Sequence, residues 1–115
     1  MAAEEDIPIL FMVTARGRDE AERLGEALVV DHLAASCSVV PVVHSFYQSE
    51  GLLQRDTEAL LLVRTATSKR PAVMEYLNQH GPQERPEILE IKITGGSVPY
   101  LEWLAERVGK PGSDR

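Results

Sequence analysis

Residues 37–63 read CSVVPVVHSFYQSEGLLQRDTEALLLV, two apolar runs separated by a polar break. The first run, residues 37–47, is rich in valine and reads as a strand. Pro41 removes a backbone donor from it, so this strand lies at a sheet edge or carries a bulge. Residues 48–51 (QSEG) end on the glycine that hairpin turns commonly use. The second run, residues 59–63, is continuously apolar with Glu58 and Arg64 at its ends, the pattern of a central strand. A hairpin is the simplest connection between the two.

Each half of the hairpin is flanked by a helix and a further strand. Upstream, residues 7–14 (IPILFMVT) form a short apolar run with Pro8 at its start, where a missing N–H costs least, and read as a buried strand. Residues 18–33 then place Ala21, Leu24 and Leu28 on one face, with Ala27 beside them. Asp19, Glu20 and Glu22 sit near the positive end of the helix dipole. Downstream, Thr67 or Ser68 caps a second helix, Pro71 fits its first turn, and Val73, Met74 and Leu77 make its stripe. His80-Gly81-Pro82 stops it. Residues 88–93 alternate, with Leu89, Ile91 and Ile93 on one face and Glu90 and Lys92 on the other, as in a half-buried strand. A last helix begins near Pro99 and carries Leu101, Leu104, Ala105 and Val108. The order βαββαβ with an appended helix is the α+β, ferredoxin-like split βαβ pattern: an antiparallel sheet with helices on one face.

The chain has 115 residues, enough for one domain over 1–115 with a core at about 7–108 and a mobile tail at 109–115. A hydrophobic content of 43% and a charged content of 26% describe an ordinary globular chain. The net charge of −6 argues against nucleic-acid binding, which needs clustered Lys and Arg. No apolar stretch is long enough for a membrane span. The opening MAAEED is acidic where a signal peptide is basic, and Cys37 is the only cysteine, so the expected location is cytoplasmic.

Metal chemistry needs converging donors, and no Cys-x-x-Cys, His-x-His or His-x-x-x-His pair occurs. His80 is the candidate ligand for Cu(II) or another divalent cation. Its structural reading is a polar residue whose imidazole suits the negative end of a helix dipole. His32 and His44 read as surface residues, and Cys37 as a small buried strand residue. No nucleophile elbow or phosphate loop accompanies the serines, and Gly95-Gly96 reads as a turn before the last helix. The chain is therefore expected not to be an enzyme.

Five strings carry a resemblance to the CutA family of divalent-cation tolerance proteins. LAASCSVVP at 33–41 is similar to the family's Leu-Ala-Ala-Cys-Val-Asn-Ile-Ile-Pro, and SFYQSEG at 45–51 to Ser-Ile-Tyr-x-Trp-x-Gly. EALLLVRT at 58–65 resembles Glu-x-x-Leu-x-x-Lys-Thr. PEI at 86–88 and YLEWL at 100–104 resemble Pro-Glu-Ile and Tyr-Leu-x-Trp-Leu. The strings come in family order without gaps. The departures are Ser36 at the family cysteine with Cys37 one place later, Ser49 for the hairpin tryptophan, Arg64 for a lysine, and Gly81-Pro82-Gln83 where His-Pro-Tyr is common.

The resemblance implies a ferredoxin-like homotrimer, not an enzyme, linked to tolerance of divalent metal ions, copper being the usual candidate. It implies that Tyr47, Glu58, Arg64 and Glu87 line the clefts between subunits, which a small ligand could occupy. The ligands proposed for some members are a first-strand cysteine and two adjacent histidines. They fall here on Val13, His80 and Gly81, so one of the three donor types is present. The alternative is a PII-like signalling trimer that binds a small anionic effector in the same cleft. Against it, the chain lacks the long loop and basic nucleotide site of such proteins.

Overall fold

The structure, a computed structural model, describes residues 6–82, 84 and 86–109. Four strands form one antiparallel sheet in the order β2-β3-β1-β4, where β1 is Pro8–Ala15, β2 Ser36–Ser49, β3 Leu52–Ala66 and β4 Ile88–Lys92. Helix α1 (Arg18–Val30) follows β1, and α2 (Arg70–His80) follows β3 through a short 3-10 turn at Thr67–Lys69. Helix α3 (Val98–Gly109) follows β4. The α+β class expected from the sequence is thus what the chain adopts. Of the tail expected at 109–115, all but the first residue lies outside the described residues.

Alternation along β1 sets the two faces of the sheet. Ile9, Phe11, Val13 and Ala15 are at most 1% exposed and meet Ala59, Leu61 and Val63 of β3, with Ala21, Leu24 and Leu28 of α1 and Val73 and Leu77 of α2 above them. Burying large aliphatic and aromatic side chains in this way contributes about 1.5–3 kcal/mol each. Gly25 lets α1 approach closely, since a Cβ there would sit 3.0 Å from Leu61 Cδ1 and 3.2 Å from Cys37 Cβ.

The opposite face carries Leu10 and Met12 of β1, Leu60 and Leu62 of β3, and Leu89 and Ile91 of β4 in register. Only one end of it is covered. Leu104 and Val108 of α3 pack there with Ala35 and with Ala66, which pairs with Pro8. The two helices expected on one face, α1 and α2, lie there, and the appended α3 packs on the other. Leu89 is 57% and Ile91 40% exposed, so the apolar side of β4 points away from the main core.

The β2–β3 hairpin is longer than its apolar runs. Pairing continues from Val43 opposite Glu58 to Ser49 opposite Leu52, closing through Glu50 (φ 52°) and Gly51 (φ 80°). Positive φ at both central positions is what a two-residue type I′ turn demands. At about 3.3 Å per residue, β3 alone accounts for most of the molecule's 51 Å long axis. The register shifts between Val40 and Val43, so Pro41 sits in a bulge on an edge strand, satisfying both of the placements its chemistry allows.

Candidate functional site

The hairpin arm places Tyr47, Asp56 and Glu58 on one face, because cross-strand pairs Ser45–Asp56 and Val43–Glu58 put odd residues of β2 opposite even residues of β3. The Tyr47 hydroxyl donates to Asp56 Oδ2 at 2.9 Å. The segment leaving α2 comes back to the sheet where the Thr14 N–H donates to the Glu87 carbonyl at 3.0 Å. Glu84 and Glu87 thereby face the arm across an open cleft of about 830 Å³, whose walls include Ser45, Tyr47, Asp56 and Glu58. A smaller adjoining recess of about 360 Å³ shares Glu58, Glu84 and Glu87 and is floored by Thr14 and Ala15. The result is a cleft with four carboxylates among the described residues of its walls.

Tyr47, Glu58 and Glu87, which the resemblance places in a cleft between subunits, line this cleft within one subunit. Arg64 does not. It lies six residues further along β3, roughly 20 Å away at the strand's pitch. There its Nη1 donates to Ser36 Oγ at 3.2 Å, and Ser36 Oγ shares a hydrogen bond with the Tyr100 hydroxyl at 3.4 Å. Asp56 and Glu84 were not anticipated as cleft residues. For Asp56 the signal was present, two residues before Glu58 on the same face of an extended chain, but β3 reads from the sequence as starting only at residue 59.

His80 ends α2 as an exposed residue, with its ring centroid 4.4 Å from that of Tyr76. Its backbone carbonyl accepts from Arg23 Nη2 at 3.3 Å. Cys37 lies on the helix-facing side of β2, opposite Val63. Burial there pushes its thiol up to about 11, against a smaller downward pull from the Arg64 charge. Among the described residues no group of three His, Cys, Asp or Glu side chains is arranged to hold a metal ion. The carboxylates line the cleft without converging on one point inside a single subunit.

A family model described as CutA1 divalent ion tolerance protein matches residues 9–107. The chain is 38% identical over 96 residues to the chloroplastic protein CutA of Arabidopsis thaliana, covering 84% of this chain and 53% of that one. It is 36% identical over 100 residues to the divalent-cation tolerance protein CutA of Thermus thermophilus, covering 87% and 97%. The chain thus spans about half the length of the plant relative and nearly all of the bacterial one. The structure of the periplasmic divalent cation tolerance protein CutA from Archaeoglobus fulgidus superposes with a TM-score of 0.81 at 28% identity, over 89% of this chain and 99% of that one. These similarities overturn the expectation of a cytoplasmic location, since similar proteins are named for the chloroplast and the periplasm. An acidic N-terminus and a lone cysteine did not carry that inference. No helix among the described residues is long and apolar enough to cross a membrane.

Proposed function

The chain belongs to the CutA1 divalent ion tolerance family, and from that premise we propose that it is a non-enzymatic trimer of ferredoxin-like subunits that responds to divalent cations at its acidic cleft. The observation that carries this reading is the gathering of Asp56, Glu58, Glu84 and Glu87 around one opening. Like charges so placed repel one another and lower the local potential, which draws in cations. Among the described residues the one cation beside them is Arg16 at the recess, which is paired with Glu20, so the same charges weigh against the alternative of a small anionic effector. Among the described residues no imidazole lines the cleft, and the one phenol there, Tyr47, donates to Asp56, an arrangement suited to binding rather than to proton transfer.

Assembly is supported by the uncovered sheet face. Val40, Leu89 and Ile91 are 37%, 57% and 40% exposed, beside half-buried Leu10, Met12, Leu60 and Leu62. A contiguous apolar patch of this kind marks an interface. The face is also polar at its ends, negative at Glu58 and positive at Arg64. A head-to-tail ring would bring Arg64 of one copy toward the cleft of the next and complete a site that one subunit leaves open. Copper is the ion the resemblance implied, but the cleft offers oxygen donors, which suit harder divalent cations.

Titration with Mn(II), followed by the electron paramagnetic resonance signal of the free ion, tests the reading. The double substitution Glu58→Gln/Glu87→Gln is expected to weaken binding at least severalfold while leaving the oligomer intact. Unchanged Mn(II) affinity in that variant would remove the cleft from the account.

A further inference from the structure

We infer that the fold keeps the imidazole, thiol and thioether groups of the described residues apart, so that they do not form a copper site. This rests on the reading above only in taking a divalent cation as the ligand, and it names the donor groups that the protein does not use for it. Copper sites draw on nitrogen and sulfur donors, two or more of them converging. The three histidines sit on three different elements. His32 is at the exit of α1 with φ 61°, His44 pairs with Thr57 on the hairpin arm, and His80 ends α2. By strand alternation His44 lies on the opposite side of the arm from Tyr47, Asp56 and Glu58. Cys37 faces the helices, with its Cβ near Gly25, where partial burial raises its pKa and so weakens the thiolate's hold on a metal. Met12 lies on the uncovered sheet face, between Leu62 and Leu89 in register, and Met74 packs against the core.

The position after His80 is closed to any second donor. Gly81 is buried and its N–H donates to the Leu77 carbonyl oxygen at 2.8 Å. A Cβ at residue 81 would stand 2.5 Å from that same oxygen, a backbone atom that cannot swing aside. An adjacent pair of ligands is therefore excluded by the way the chain leaves α2. Val13 offers no donor either, being 0% exposed between Leu61 and Ile88. α2 covers the face of the sheet opposite the apolar one, so a contact made through the apolar face leaves His80 on the outer, helical side.

The test is competition between the full-length protein and a chelator for Cu(II), and separately for Cu(I). The panel is wild type, His32→Ala, His44→Ala, His80→Ala and Cys37→Ser, with Mn(II) run in parallel. The expected result is that copper stays with the chelator, or that any weak uptake is the same in all five proteins. One equivalent of copper per chain that is lost on any one of these substitutions would overturn the inference, and would leave the divalent-cation reading standing. Failure of both metals to bind would sustain the inference and remove the cation reading. Binding of Mn(II), with any copper uptake unchanged by the four substitutions, would support both.

Discussion

Cys37 packs its side chain against the α1 backbone at Gly25, and that position decides its chemistry. Desolvation carries its pKa to about 11, with Arg64 opposing. At pH 8 the thiolate is then on the order of one part in a thousand, against about a quarter for an ordinary thiol of pKa about 8.5. Alkylation by iodoacetamide at pH 8 is expected to be on the order of 100-fold slower in the native protein than in urea; equal rates would show the thiol to be exposed. The raised value also has a sign for stability. A thiol whose folded pKa exceeds its unfolded one contributes stability below the unfolded value, and that contribution is lost as pH rises through about 11. Wild type should therefore lose more melting temperature than Cys37→Ala between pH 8 and 11. Glu20 has the opposite sense. Burial raises its pKa, but hydrogen bonds from Arg16 Nε, Nη2 and backbone N–H, with the charges of Arg16 and Arg23, more than offset this and hold it low. Its contribution is present above the usual carboxylate range and fades as pH falls through the folded value. Glu20→Gln should melt lower than wild type at pH 7, and the gap should close in acid. Gly81→Ala tests the α2 exit: the 2.5 Å approach to Leu77 oxygen predicts a loss of about 1–3 kcal/mol in urea unfolding. A neutral result would mean that the exit relaxes freely.

Among the elements, the hairpin was the most legible, because Pro41 and Gly51 are local signals whose backbone meaning does not depend on the rest of the fold. Its length was not. Residues 54–58 (QRDTE) are polar and look like a loop, yet they pair with β2 because the I′ turn fixes the register and nothing buries the arm inside the subunit. The alternation of β4 was read correctly, but its apolar side lies on the uncovered face. The side toward α2 is taken by Glu90, which accepts from Arg70 at 2.6 and 2.7 Å. The start of α2 was assigned to a cap by Thr67 or Ser68. Neither side chain caps it; at the 3-10 turn that leads into α2, Asp6 instead accepts from the Ser68 N–H and hydroxyl, both at 2.8 Å, and from the Thr67 hydroxyl at 3.3 Å. An acceptor supplied from 62 residues away leaves no local pattern to read. Asp6→Ala should cost about 1 kcal/mol in chemical denaturation, with Asn recovering most of it. An unchanged midpoint would show that the helix start does not depend on this bond.

For the whole molecule, the family and the α+β sheet were legible because ordered strings and periodicity survive drift. The site was only partly so. Tyr47, Glu58 and Glu87 come together within one subunit, whereas Arg64 stands at the far end of β3, where only a second copy could carry it to the cleft. The compartment was not legible at all. The assembly in the functional account turns on the uncovered face of Leu10, Met12, Leu60, Leu62, Leu89 and Ile91 being an interior surface of an oligomer. Charging it by Leu89→Glu with Ile91→Lys should yield smaller species. Tyr47→Ala should lower both assembly and melting temperature if the arm packs between copies, an aromatic anchor commonly being worth about 2 kcal/mol or more. The most direct measurement is the mass of the unmodified chain in solution, by light scattering coupled to size exclusion at micromolar concentration. Three chain masses in a single peak is the predicted result. One chain mass under native conditions would contradict the account.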